Sequence, residues 1–416
     1  MRAVEPFRDR PLAFASMLLA WFAKEGRHDL PWTLHPTPYR VWVSEIMLQQ
    51  TQVATVVPYF NRFIERFPEV SVLAAAPEDA VLAAWTGLGY YRRARNLWRA
   101  ARLLEQHHHG QLPQEPEELV KLPGIGRSTA GAIAALAFGK RAAILDGNVK
   151  RVLTRIHGID EWPGAKSVEA RLWSLAEDLT PTKDVAGYTQ AIMDLGATVC
   201  TRRRPACERC PFSDECIALR EQRIEQCPAP RPKRTLPERK TKMIVLEDSS
   251  GRILLQRRSR NGVWGGLWCF PECSADMTSA EFAEALLDAQ LRPGCTLSGV
   301  APPASMRHQF THFKLTIEFA KWKAETEGGP SVQEPSPKPW STPNATLRRS
   351  AQNLQLLDTH KLQTPGAQIQ NSCEAKRETD GDYAWFAVDA AQAVGLAAPV
   401  VRYLARPSTE EESTGG

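Results

Sequence analysis

No apolar run in the 416-residue chain is long enough to cross a bilayer. The nearest approach, Leu12 to Ala23, is too short and has no small-residue cleavage site behind it, so it reads as a buried helix and not as a signal peptide. The chain also lacks the evenly spread cysteines of a disulfide framework: its nine cysteines are unevenly clustered, which points to a reducing, intracellular compartment. A large excess of one charge is missing too. The net charge of +5 permits a polyanionic partner without requiring one. Strand-type alternation is absent from residue 7 to about 225, where apolar residues recur every three or four positions and breaks fall at Pro36 to Pro38, Phe67-Pro68, Gly87 to Gly89 and Gly158 to Gly164. That part is expected to be all-α.

The proline-rich, basic stretch 228–241 has the composition of a stiff linker. Beyond it Lys242 to Leu246, Ile253 to Arg257, Lys314 to Phe319 and Tyr383 to Phe386 have strand character, with helices over Glu281 to Gln290 and Ala390 to Leu404. The expected organisation is a helical domain over 1–227, a linker over 228–241, an α+β domain over 242–405 and a tail over 406–416. Residues 323–382, rich in Pro, Ser, Gln, Glu and Asn, read as an insertion with too little apolar surface to order itself.

Chemistry concentrates in two places. Leu122-Pro123-Gly124-Ile125-Gly126 breaks one helix and opens another near Arg127, because proline cannot continue a helix and both glycines tolerate dihedrals that other residues resist. Such a hairpin presents bare backbone N–H groups at the positive end of a helix, which suits a phosphate oxygen. Asp146, about one helix and a turn downstream, falls at the start of the next helix, where first-turn N–H groups should keep it ionised. The second place is Cys200, Cys207, Cys210 and Cys216, a C-x6-C-x2-C-x5-C run flanked by Arg202, Arg203, Arg204 and Arg209. Four close thiolates call for tetrahedral zinc or an iron–sulfur cubane, and spacing alone does not choose.

Several stretches together decide the resemblance. The cysteine run after Met193-Asp-Leu-Gly-Ala resembles the [4Fe–4S] loop of the endonuclease III superfamily of DNA glycosylases, which also carries the helix-hairpin-helix and its downstream aspartate. Val41 to Val53, Gly87-Leu-Gly-Tyr-Tyr and Leu145 to Val152 are similar to the adenine DNA glycosylases of the MutY type. Trp264 to Pro271 and Arg307 to Phe313 resemble that family's Nudix-like C-terminal domain, although no acidic Nudix helix follows Gly266, so this domain should bind without hydrolysing. The implied architecture is an all-α helix-hairpin-helix glycosylase domain with an iron–sulfur loop, followed by an α+β Nudix-like domain.

Residue by residue, the resemblance implies a [4Fe–4S] cluster on the four cysteines and a base-excision enzyme that flips adenine out of double-stranded DNA. It would act opposite 8-oxoguanine or guanine, as a monomer in a bacterial cytoplasm, associated with the nucleoid and without a membrane. Glu45 corresponds to the acid that protonates adenine; periodicity alone would leave it a solvated helix carboxylate, although its apolar neighbours Val41, Trp42, Val43, Ile46 and Met47 would raise its pKa. Asp146, biased the other way, corresponds to the carboxylate that stabilises an oxocarbenium-like sugar, and Asn148 to the residue that orients water. Gln50, Thr51, Leu88 and Tyr90 match loops that grip the opposite guanine, Gly124, Gly126 and Ser128 match DNA contacts of the hairpin, and Trp32 and Gln190 match the adenine pocket. Phe310, Thr311 and His312 match the loop that senses 8-oxoguanine, with threonine for the usual serine. Ser128 stands where strand-cleaving relatives have a lysine, and a hydroxyl cannot form a Schiff base. That opposes an endonuclease III-like pyrimidine-lesion enzyme, and intact Glu45 and Asp146 oppose a catalytically silent damage-binding protein.

Overall fold

The computed structural model describes residues 6–405 apart from 8–9, 233–234, 261, 274–276, 291–294, 301–304, 327–381 and 389. The chain divides into Met1–Pro237 and Glu238–Gly416. The first unit is helical throughout its described residues. Local signals start its helices where they are needed: Pro11 opens Pro11–Glu25, and Pro38 opens Pro38–Leu48 behind Thr37, whose hydroxyl accepts from the Arg40 N–H at 3.2 Å. One core joins the beginning of this unit to its end. Phe7, Phe14, Leu18 and Trp21 pack with Leu145, Val149, Leu153, Leu172, Tyr188 and Phe212, and the rings of Phe14 and Phe212 stack at 4.3 Å. Trp42, Ile46, Phe60, Phe63 and Trp85 are buried around the Pro38–Leu48 helix.

The hairpin takes a tighter form than expected. Only a four-residue helix, Pro116–Leu119, precedes it, and of the two glycines only Gly124 uses a left-handed backbone, with φ +85. Gly126 has φ −92 and serves as the N-cap of Arg127–Phe138, with open space on its Cα. That helix lies hard against the chain leading to Asp146: a Cβ on Gly131 would stand 2.4 Å from the Ala143 carbonyl oxygen. Asp146 caps Gly147–Ile156, accepting from the Val149 N–H at 2.8 Å.

The second unit is built on a mixed sheet of β1 (Glu238–Asp248), β2 (Ile253–Arg257), β3 (Trp268–Cys269), β4 (Cys295–Val300), β5 (Met306–Gln309), β6 (Lys314–Thr326) and β7 (Tyr383–Phe386). Its order is β3-β2-β1-β6-β4, with β5 also on β6 and β7 also on β2. β1 and β6 run parallel from Glu238 opposite Lys314 to Asp248 opposite Ala324. The Ser279–Gln290 helix covers Ile244, Leu246 and Leu254 through Ala283, Leu286 and Leu287.

Three boundaries differ from expectation. β1 begins inside the expected linker, and the linker's first part is tied to the helical unit by the Ala229 N–H donating to the Asp160 carbonyl at 3.2 Å. β6 runs four residues into the expected insertion, because β1 and β4 supply hydrogen-bond partners there that composition cannot show. The expected final helix is a 3-10 turn over Ala390–Ala393 followed by Ala398–Leu404, which Pro399 opens. The rest of the insertion (327–381) and the tail (406–416) lie outside the described residues.

Gly131→Val should lower the thermal midpoint by an amount corresponding to about 1–3 kcal/mol, since the new side chain meets backbone that cannot yield without moving Asp146. Thermal melts check this, and an unchanged midpoint would contradict the packing described.

Candidate active site

A cleft of about 780 Å³ in the helical unit gathers Glu45, Asp146, Asn148, Ser128, Trp32, Gln190, Gln50 and Thr51 from widely separated segments. Glu45 opens onto it from Pro38–Leu48, a helix whose Val41, Trp42, Val43, Ile46 and Met47 are all buried. Burial, then the neighbouring Asp146, pushes the Glu45 carboxyl up to about 8. Asp146 corrects an expectation: burial raises its carboxyl as well. The Val149 N–H, the Arg151 guanidinium and bonds from Asn148 oppose that rise without reversing it. The two carboxyls are therefore not driven in opposite directions. What separates them is that the opposing hydrogen bonds and cation act at Asp146 alone.

Their neighbours are held by the backbone. Ser128 Oγ accepts from the Leu145 N–H at 3.0 Å, pinning the residue before Asp146. Asn148 Oδ1 accepts from Arg151 Nη2 at 2.8 Å, and Arg151 also donates to the carbonyls of Gly196 at 2.5 Å and Cys200 at 2.7 Å. Lys150 Nζ is paired to Glu169 at 2.6 Å.

Of the other expected DNA contacts, Tyr90 is 54% exposed and Leu88 is buried at 6%, and neither lines the cleft. Gln50 and Tyr90 both have left-handed backbones, at φ +61 and +50. Arg93 holds both loops. Its guanidinium donates to the carbonyls of Ile46, Met47 and Gln49 at 3.1, 2.7 and 2.5 Å. It also reaches Thr51 Oγ1 at 3.0 Å and the carbonyls of Leu88 and Gly89 at 3.3 and 3.2 Å. Gln49 Nε2 in turn donates to the Gly124 carbonyl at 3.3 Å, joining the first loop to the hairpin. Sequence reasoning missed Arg93, Arg151 and Asp194, each of which has at least one partner more than 40 residues away.

Cys200, Cys207, Cys210 and Cys216 surround one small cavity of about 20 Å³, with Val152, Arg155, Ile156 and Leu195 in its wall. Four thiols facing one space form a donor set that fits an iron–sulfur cluster. Arg155 Nη1 donates to Cys200 Sγ at 3.3 Å. Beside it Lys150, Arg151, Arg202, Arg203, Arg204 and Arg231 line a groove of about 870 Å³.

In the second unit Phe310, Thr311 and His312 form the turn between β5 and β6, closed by the Phe310 N–H donating to the Phe313 carbonyl at 2.9 Å. Phe310 stacks on Phe313 at 4.6 Å and lies 5.3 Å from Trp264, while Thr311 and His312 are exposed. Cys269 is buried in β3, whereas Cys273 is half-buried.

The helix-hairpin-helix, the carboxylate cleft and the thiol cavity define a class: base excision DNA repair proteins with an iron–sulfur loop. The family model described as HhH-GPD superfamily base excision DNA repair protein matches residues 43–178. The iron–sulfur binding domain of endonuclease III matches 200–216, and the NUDIX domain matches 242–350. The adenine DNA glycosylase of Buchnera aphidicola (subsp. Acyrthosiphon pisum) is 38% identical over 304 residues, covering 73% of this chain and 85% of that protein. The Homo sapiens adenine DNA glycosylase is 33% identical over 447 residues, covering 90% and 80%. A solved structure of a thermostable thymine-DNA glycosylase is similar with a TM-score of 0.47 and 28% identity, over 51% of this chain and 98% of that one. A non-covalent endonuclease III–DNA complex gives a TM-score of 0.44 and 22% identity, over 51% and 97%. The chain belongs to the adenine DNA glycosylase family. It is an enzyme of base excision repair, and its four-cysteine loop binds a [4Fe–4S] cluster. No helix among the described residues is long and apolar enough to cross a membrane.

The raised Glu45 carboxyl has a consequence for stability. Folded, it keeps its proton to about pH 8, whereas its ordinary value is 4.5, so the proton's contribution to folding is full below about 4.5 and is lost as pH rises to about 8. Glu45→Gln should therefore gain stability over the native chain across that window, by about 1–4 kcal/mol at its upper end. Denaturant unfolding of both proteins at several pH values checks this, and a constant difference would contradict it.

Proposed function

We propose that the protein hydrolyses the N-glycosidic bond of adenine opposite 8-oxoguanine or guanine and leaves the strand uncut. The observation that carries this reading is the meeting of Glu45 and Asp146 in one cleft, with the Glu45 carboxyl raised to about 8 so that it holds a proton at neutral pH. The adenine base, extruded from the duplex, would lie against Trp32 and Gln190. Glu45 donates its proton to the base at N7, which makes adenine a better leaving group. Asp146, ionised and braced by the Val149 N–H, stabilises the positive charge that develops on the sugar. Asn148 orients the water that completes hydrolysis. Ser128 supplies no amine, and Lys150 is held by Glu169, so neither is set to form an imine and cut the strand.

The remaining residues grip the duplex. The N–H groups of Gly124 and Gly126, beside an Ile125 N–H that donates to the Leu122 carbonyl at 3.2 Å, suit a backbone phosphate, and Gln50, Thr51, Leu88 and Tyr90 meet the base opposite the extruded one. The four cysteines hold the cluster as a structural centre that shapes the arginine-lined groove beside it. Because adenine is itself undamaged, discrimination must come from the opposite base, and Phe310, Thr311 and His312 are assigned that contact. The enzyme would work as a monomer on chromosomal DNA in a bacterial cytoplasm. An endonuclease III-like lyase is disfavoured by Ser128.

Single-turnover release of adenine should be bell-shaped in pH. Activity falls as pH rises through about 8 and Glu45 loses its proton, and falls again at acid pH as Asp146, raised above its usual range, becomes protonated. The product should be an intact strand with an abasic site. A flat profile across pH 8, or strand scission at the rate of base release, would sink the assignment of roles.

Thr311→Ala with His312→Ala should reduce the preference for adenine opposite 8-oxoguanine over adenine opposite guanine about tenfold, with release opposite guanine nearly unchanged. Rates on the two duplexes measure this directly, and full retention of the preference would return lesion sensing to the helical unit.

A further inference from the structure

The turn from Phe310 to Phe313 is closed by one backbone bond, from the Phe310 N–H to the Phe313 carbonyl, so its side chains depend on neighbours for their positions. Successive side chains along β5 point to opposite faces, which sets half-buried His308 and Phe310 on one side and exposed Arg307 and Gln309 on the other. Rings gather on the first side. Phe310 lies 4.5 Å from His308, 4.6 Å from Phe313 and 5.3 Å from Trp264, and Trp264 lies 5.5 Å from His308. At the tip, His312 meets Phe313 edge to face at 4.7 Å.

Trp264 comes from a different segment, the loop between β2 and β3, and its backbone is strained. Its φ of +53 is left-handed, a region that bulky residues avoid. The loop enforces it: the Arg258 N–H donates to the Leu267 carbonyl, the Gly266 N–H to the Arg258 carbonyl and the Leu267 N–H to the Trp264 carbonyl, each at 3.0 Å. A Cβ on Gly265 would stand 2.4 Å from the Arg260 carbonyl oxygen, so the closure is also tight. Yet the indole that this loop presents is only half-buried, and burial alone is a poor return for such a conformation. What the indole does is close the open side of His308 and Phe310.

We propose that Trp264 is a positioning residue that braces the Phe310–His312 turn, so that the preference for 8-oxoguanine over guanine depends on an indole that does not itself touch the lesion. This rests on the reading of that turn as the lesion sensor, and goes beyond it by naming what fixes the sensor's shape. The two bases differ only at C8 and N7, where one carries an oxygen and an N–H that the other lacks. Telling them apart takes a hydrogen-bonding group held at a set distance and angle, and such bonds weaken steeply when misaligned. A loosened tip therefore loses discrimination while leaving adenine release opposite plain guanine intact. A phenylalanine at 264 would still pack on Phe310, whereas an alanine would leave that side open.

The test measures single-turnover adenine release opposite 8-oxoguanine and opposite guanine by the cluster-loaded full chain, by Trp264→Ala and by Trp264→Phe. In Trp264→Ala the preference for the 8-oxoguanine duplex should fall about tenfold, with release opposite guanine nearly unchanged, which also reports a folded chain. Trp264→Phe should keep most of the preference. Equal loss on both duplexes would mean a merely structural role, and equal loss of preference in both variants would mean a contact made by the indole itself; either overturns the proposal. So would a preference that survives Trp264→Ala but not Thr311→Ala with His312→Ala. Should it survive both, the sensor reading fails, and a second readout, which needs no DNA, judges the brace. With ¹³C-labelled imidazoles, the His312 signal, assigned by its loss in His312→Gln, should be displaced from that of free imidazole by the Phe313 ring. It should move toward the free value in Trp264→Ala and stay in place in Trp264→Phe. A His312 signal unmoved in Trp264→Ala would overturn the brace even if the preference fell, and a moved signal would uphold it even if the turn sensed no lesion.

Discussion

The Arg93 guanidinium is the constraint on which the Gln50 and Tyr90 loops of the helical unit depend. Three of its acceptors are carbonyls at the C-terminal end of the helix that bears Glu45 and just past it, where backbone oxygens lack helical partners and a cation is favourable. The others belong to the two loops in which Gln50 and Tyr90 sit in left-handed conformations. Such backbones cost about 1–3 kcal/mol each and persist only where surroundings over-determine them. A planar fork that bonds both loops at once does this, and a lysine ammonium, a point charge on a flexible stem, has no comparable geometry. Burial holds the group below its usual range, to about 10, which still leaves it charged at neutral pH.

A second economy lies in the Gly147–Ile156 helix. Its N-terminal end is capped by Asp146, and Val152, Arg155 and Ile156 further along line the thiol cavity. Ten residues of helix span about 15 Å. Arg151 bridges the interval, bonded to Asn148 on one side and to the Cys200 carbonyl on the other. The π-helical turn Leu195–Val199, which follows the Val185–Asp194 helix, brings the Gly196 carbonyl to the same guanidinium. Asp146 and the cysteine loop are thus registered by one rigid element and one side chain.

What the sequence discloses depends on the distance over which a property is made. The cysteine run, the hairpin and the cap at Asp146 are written in consecutive residues, and each is found where expected. The rise at Glu45 was foreseeable because its apolar neighbours belong to its own helix. Asp146 was misjudged because its desolvation comes from packing, whereas its local hydrogen bonds argue the other way. Arg93 bonds Met47 across 46 residues and Arg27 bonds Asp194 across 167, distances at which no periodicity or spacing carries information. The same holds for β6, whose last residues look like part of a polar insertion until β1 and β4 are placed beside them.

The stacking of Phe14 on Phe212 bears on the order in which the enzyme comes into being. During translation the segments around Glu45 and the hairpin emerge first, yet the core beneath Asp146 needs both the opening helix and a phenylalanine of the cysteine loop. Leu145, Val149 and Tyr188 meet the first helix earlier, but the Phe212 ring completes this core only once more than 200 residues have left the ribosome. The floor beneath Asp146 is therefore finished by the same loop that carries the thiols.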